Sequence, residues 1–147
     1  MALTPEQNDA WRSLVLLTHV LDAALERQAQ RDGGLPHAYY KVLVFLYEAP
    51  GRSMSMTALA EAQRYSGSRM THAVSSMERS GWVKRTTSPA DGRVRVVELT
   101  AAGIHLLRTV SPGQIAEVRQ KVFAELSDAQ VEQLTVIGRA AVAGLDG

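Results

Sequence analysis

Ser68, Arg69, Thr71, His72, Ser75 and Ser76 share one short segment with Met70, Ala73 or Val74, and Met77. At helical spacing the apolar residues turn inward and the polar ones outward. The outward set offers hydroxyls, an imidazole and a guanidinium but no carboxylate. It suits hydrogen bonding to an acceptor-rich, anionic partner rather than acid–base catalysis. A few residues on, Asp91 and Arg93 sit in a turn, with Lys84 and Arg85 on the approach to it. A guanidinium is a planar fork of donors that fits a guanine edge or a phosphate.

Those side chains need two supports. Ser66 is placed to cap a helix over about 66–80 that stops at Gly81. Trp82–Thr87 has strand composition, Ser88-Pro89-Ala90-Asp91-Gly92 is a turn, and Arg93–Leu99 alternates imperfectly, with Val94, Val96 and Glu98 on one side. The two strands make a ribbon over about 83–99. Upstream, Thr57 is placed to cap a small helix, Ala58–Gln63, with Leu59 and Ala60 inward. Two short helices, a tight turn and a hairpin form a winged helix-turn-helix. In that arrangement Arg69 is the candidate reader of guanine, and the hydroxyls are candidates for phosphate. Arg93 suits a narrow, electronegative minor groove, with Asp91 placed to pin its guanidinium. Lys84 and Arg85 serve either phosphates or the structure.

Around this region, Thr4 and Pro5 open a first helix whose Trp11, Leu14, Leu17, Val20 or Leu21, and Leu25 form a stripe. Val15 and Leu16 add apolar surface off the stripe, and Gly33-Gly34 ends the helix. A second helix follows Leu35-Pro36 and stops at Ala49-Pro50-Gly51, and Arg52–Met56 reads as a short connector or a brief extended segment. Thr100 caps a long fifth helix that Ser111-Pro112-Gly113 should kink or interrupt. Ser127 or Asp128 caps the last helix. The fold class expected is mainly α: a winged helix-turn-helix with a two-stranded β-wing at 35–100, and a helical dimerisation region from 1–34 and 101–147. The apolar surplus on the first and last helices fits either a partner chain or a core within one chain.

Composition narrows the function classes. The chain of 147 residues carries a net +1, unevenly spread. From Arg64 to Arg95, seven cations meet two acids, giving +5, and the remainder carries −4. With no cysteine there is no disulfide or thiolate metal site. His19, His37, His72 and His105 show no metal-ligand spacing, and no Gly-rich phosphate loop or nucleophile elbow appears. No apolar run is long enough to span a bilayer and no secretory signal precedes the first helix, so a cytoplasmic location is expected, with no cofactor and no enzymatic activity.

Leu59-Ala60-Glu61, Ser68-Arg69-Met70-Thr71-His72, Glu78-Arg79-Ser80-Gly81-Trp82-Val83-Lys84-Arg85 and Asp91-Gly92-Arg93 stand in this order, followed by Leu99-Thr100-Ala101-Ala102-Gly103. This pattern resembles the MarR family of bacterial winged-helix transcription factors, and Asp-x-Arg followed by Leu-Thr-x-x-Gly is similar to its wing signature. Pro112-Gly113 departs from the family's usual uninterrupted helix. The resemblance implies a homodimer that binds a pseudopalindromic double-stranded operator, commonly as a repressor released by a small phenolic or other anionic effector. For such an effector, Trp11, His19, His37, Tyr39 and Tyr40 are the candidate lining. The other readings are a winged-helix protein-docking module without DNA binding, and a zinc-responsive regulator.

Overall fold

The computed structural model describes residues 2–145. In chain order these form α1 (Pro5–Gly33), α2 (His37–Glu48), a 3-10 turn (Pro50–Arg52), β1 (Ser53–Ser55), α3 (Met56–Gln63) and α4 (Gly67–Arg79). There follow β2 (Val83–Thr87), β3 (Arg95–Leu99), α5 (Ala101–Val118), a π-helical turn (Arg119–Phe123) and α6 (Asp128–Leu145). The chain divides into two compact units, Leu25–Gln114 and Met1–Ala24 with Ile115–Gly147. The first of these takes in the end of α1 and most of α5 along with the winged helix-turn-helix.

Hydroxyl caps set most of the helix starts. Thr4 Oγ1 accepts the Gln7 amide at 3.2 Å while the Gln7 side chain accepts the Thr4 amide at 3.0 Å, a reciprocal capping box. Ser127 and Gln130 repeat it at 3.2 and 2.9 Å. Ser66 Oγ accepts the Arg69 amide at 3.2 Å, fixing the start of α4 where the sequence placed it. Ser66→Ala should therefore cost about 1 kcal/mol of stability in a thermal melt, with Ser66→Asp recovering most of it. The cap of α3 differs from expectation. Ser55, not Thr57, holds that position and accepts the Ala58 amide at 3.1 Å. Ser55 is also the last residue of β1 and is already extended, so the cap falls where the strand ends.

The sheet has three antiparallel strands in the order β1-β3-β2, one more than the ribbon expected from sequence. The connector read at Arg52–Met56 contains the extra strand: Ser53 pairs with Glu98, Met54 with Val97 and Ser55 with Val96. It occupies the edge of β3 that the β2 pairing leaves open. Val97, flanked by a strand on each side, is fully buried. It joins Leu35, Leu43, Leu46, Leu59, Met70, Val74, Met77 and Val83 in one core. The inward stripe expected of α4 (Met70, Ala73, Val74 and Met77) is buried throughout.

α5 runs through Pro112 as one helix, so of the kink or interruption expected there, the interruption does not occur. Proline forfeits one helical hydrogen bond and crowds the carbonyl four residues back, yet Pro112 lies on the exposed side, where that carbonyl can tilt toward water. The opposite side is held by a buried amide network. Gln28 Nε2 donates to the Val110 carbonyl at 3.0 Å and to Asp32 at 2.7 Å. Gln114 Nε2 donates to the Leu25 carbonyl at 3.3 Å and to Gln28 Oε1. Gly113 makes room for this network: a Cβ there would lie 2.3 Å from Gln28 Nε2. Irregularity appears instead beyond α5, in the π-helical turn.

In the other unit, apolar side chains of α1 and α6 face solvent. Trp11 is 56% exposed, and Leu16 and Ile137 are each 64% exposed. Within a single chain these residues are not core.

Candidate nucleic-acid interface

α4 projects its polar side as its spacing demands. Ser68, Arg69, Thr71 and His72 are exposed, and Ser75 and Ser76 are half-buried. Thr71 Oγ1 donates to the Gly67 carbonyl at 2.9 Å, which leaves its oxygen free to accept. Ser68 and Ser66 hydroxyls are 3.4 Å apart. The Arg69 guanidinium carbon stands 3.8 Å from the centroid of the Tyr65 ring. Sequence reasoning passed over Tyr65; an aromatic residue just before a helix cap was the available signal.

Arg85 is held by Glu78. Its side chain donates to Glu78 Oε1 through Nη2 at 3.0 Å, and its amide donates to Glu78 Oε2 at 2.9 Å. The pair ties the end of α4 to β2, which gives Arg85 a structural role. The Arg85 hydrogen bonds hold the Glu78 carboxyl below its ordinary range. A depressed carboxylate stabilises the fold above the ordinary glutamate range and loses that contribution as pH falls through its folded value. Glu78→Gln should thus lower the melting temperature at neutral pH, with the two melting temperatures converging on acidification below about pH 4. Lys84 makes a more exposed pair with Glu98 at 3.3 Å.

At the ribbon tip Asp91 acts on the backbone. Its Oδ1 accepts the Arg93 amide at 3.0 Å, and the Val94 amide donates to the Asp91 carbonyl at 3.0 Å. The expected pin between Asp91 and the guanidinium of Arg93 is not what forms; Asp91 shapes the turn, and the Arg93 side chain stays exposed. A short Asp in a tight turn readily reaches the amide two residues on. Between α4 and the ribbon lies a cleft of about 1070 Å³ whose lining includes Thr71, Glu78, Arg85, Arg93 and Arg95. Three guanidiniums and one paired carboxylate give it a positive balance.

The candidate effector residues fall in two units. His37 and Tyr40 stack with ring centroids 5.9 Å apart, and Tyr40 reaches the Ser111 hydroxyl at 3.2 Å. Tyr39 packs partly buried against the same core. Trp11 and His19 belong to the other unit and line a shallow apolar hollow along α1 with Val15 and Leu16. Among the described residues, no three His, Asp or Glu side chains come together as a metal site, and no helix is long and apolar enough to cross a membrane.

Residues 33–94 match the MarR family model. Sco3205 of Streptomyces coelicolor, a MarR family transcriptional regulator whose crystal structure was determined in complex with DNA, is 41% identical to this chain. The two superpose with a TM-score of 0.95 over 100% of this chain and 92% of Sco3205. The chain belongs to the MarR family. A second MarR family regulator, AbsC of the same organism, is 30% identical with a TM-score of 0.94, covering 100% of this chain and 99% of AbsC. The transcriptional repressor MprA of Escherichia coli K12 is 27% identical over 133 residues, 89% of this chain and 75% of MprA. As a MarR family member the chain is a transcriptional regulator and not an enzyme.

Proposed function

We propose that this MarR family regulator acts as a homodimeric repressor on a pseudopalindromic duplex operator in the cytoplasm. α4 enters the major groove, where Arg69 reads a guanine edge and Ser68, Thr71, His72, Ser75 and Ser76 make the surrounding base and phosphate contacts. The ribbon carries Arg93 into the adjacent minor groove, and Lys84 contributes to phosphate attraction. The observation that carries this reading is the cationic cleft between α4 and the ribbon, lined by Arg85, Arg93 and Arg95, together with Arg69 exposed on the same α4. Apolar side chains left exposed on α1 and α6, among them Leu14, Val20, Val136 and Ile137, support dimerisation through those helices. A soluble monomer rarely leaves such surface uncovered. In this reading 1–34 and 101–147 supply the dimer contact and 35–100 the reading head.

Two-fold pairing demands half-sites about one helical turn (~10 bp) apart. Effector release follows if a small anionic or phenolic ligand favours a dimer geometry whose heads miss that spacing. The candidate effector residues are then Tyr39 and the His37–Tyr40 pair in one unit, and Trp11 and His19 in the other.

Selection of duplexes by the purified full chain, followed by sedimentation and salt titration, tests this reading. The expected result is a palindromic consensus, a chain dimer per site, and affinity that falls steeply with salt. An association insensitive to salt and to Arg69→Ala and Arg93→Ala would instead favour a protein-docking module, and affinity abolished by a chelator would favour zinc response.

A further inference from the structure

We infer that Tyr65 is a positioning residue for base recognition: its ring holds the Arg69 guanidinium in the orientation that reads the major groove. This rests on the reading of Arg69 as a base contact given above.

Arg69 is restrained twice. Its amide is bound by Ser66 Oγ at 3.2 Å, and its guanidinium lies over the Tyr65 ring at 3.8 Å from the centroid. The residues that fix it are consecutive in sequence. Tyr65 is itself anchored: its amide donates to the Ala60 carbonyl at 2.9 Å and its ring packs, half-buried, against the core. The turn that delivers it is specific too, since Arg64 closes α3 in the left-handed conformation at φ 56°. The ring is therefore a fixed platform, not a second flexible side chain.

A planar guanidinium stacked on a ring engages the platform through its face. In such a face-to-face stack the N–H donors lie in the guanidinium plane, at the edge, directed away from the ring. Arg69 is exposed, and no carboxylate competes for those donors among the described residues. The edge fork is the feature that matches guanine O6 and N7 bidentately. A free arginine loses much of its rotamer freedom on making that contact, whereas a stacked one has lost part of it already. Stacking should therefore raise discrimination at the guanine without adding a phosphate contact.

The test compares base preferences selected from random duplexes by the wild type, Tyr65→Phe, Tyr65→Leu and Arg69→Ala. Arg69→Ala should flatten the preference at one symmetric pair of positions. Tyr65→Leu should lower it at the same pair by about three- to tenfold while the salt slope stays unchanged, and Tyr65→Phe should keep it. If Arg69→Ala changes no position, the base-reading role fails and the inference goes with it. If Arg69→Ala flattens the pair but Tyr65→Leu does not, the inference alone is overturned. Tighter binding by Tyr65→Leu also overturns it, because the ring would then be sequestering the guanidinium. A readout independent of any variant's folding is the NMR signal of the Arg69 side chain in the free wild-type dimer. Ring-shifted Cδ protons and a restricted Nε–H are expected; unshifted, mobile resonances would sink the idea.

Discussion

Arg93→Ala lowers operator affinity by about 10- to 100-fold while leaving the melting temperature of the free protein unchanged. The reasoning starts from exposure. Arg93 lies at the ribbon tip, outside the core, so its removal costs the fold nothing comparable to a cavity. Bound to DNA, each of two tips would lose a charge-assisted contact, typically worth about 1.5–3 kcal/mol when well formed. Partial solvation reduces that gain, and the sum over two protomers comes to about 1.4–2.8 kcal/mol. The loss should be larger on duplexes with A·T-rich flanks, where a narrow minor groove concentrates negative potential. Competition binding on duplexes differing only in those flanks measures it. Equal affinity of wild type and variant on both duplexes would remove the ribbon from the interface.

Gly103→Ala should act in the opposite way, damaging the fold before any contact with DNA. An added Cβ would lie 2.2 Å from the Trp82 carbonyl oxygen and 2.7 Å from Leu99 Cδ1. The first of these is backbone and cannot swing aside. That backbone is clasped where α5 begins: Thr100 Oγ1 donates to the Gly81 carbonyl at 2.6 Å, and the Gly103 amide donates to Thr100 Oγ1 at 3.1 Å. The Thr100 amide donates to the Trp82 carbonyl itself at 3.1 Å. Overpacking against such a clasp costs about 2–3 kcal/mol, which for a chain of this size lowers the melting temperature by about 5–10 °C. A melt unchanged by the substitution would mean that α5 can shift away from the α4–β2 turn at little cost. This close approach gives a physical reason for the glycine in the Leu-Thr-x-x-Gly stretch.

The parts of the structure that were legible in the sequence are those whose cause is local. α4 announces itself because Ser66 caps it and Met70, Ala73, Val74 and Met77 recur at helical spacing. Thr4 and Thr100 likewise start their helices where the sequence placed them, and Ser127, one of two candidate caps, starts the last. The ribbon follows from the turn residues between two strand-like runs. What escaped depends on partners far along the chain. β1 is only three residues long, too short to show a period, and it is a strand because β3 offers it an edge. That pairing also decides between Ser55 and Thr57 as the cap. Pro112 reads as a kink or a break, since nothing nearby in sequence reveals the buried Gln28 and Gln114 amides behind it. The Arg85–Glu78 pair and the Tyr65 platform are side-chain arrangements across turns, which the residue types permit but do not dictate.

The third strand has a mechanical consequence. It braces β3 from Val96 to Glu98, whereas among the described residues no further strand pairs with the hairpin beyond Thr87 and Arg95. The ribbon is thus paired on both sides at its root and only with itself at its end. Because Ser55 belongs to the brace and also starts α3, twisting the root would disturb the helix pair, while bending the end would not. Grooves of differing width can be followed by the end alone, so changes between Ser88 and Val94 should retune which flanking sequences are tolerated without endangering the domain beneath.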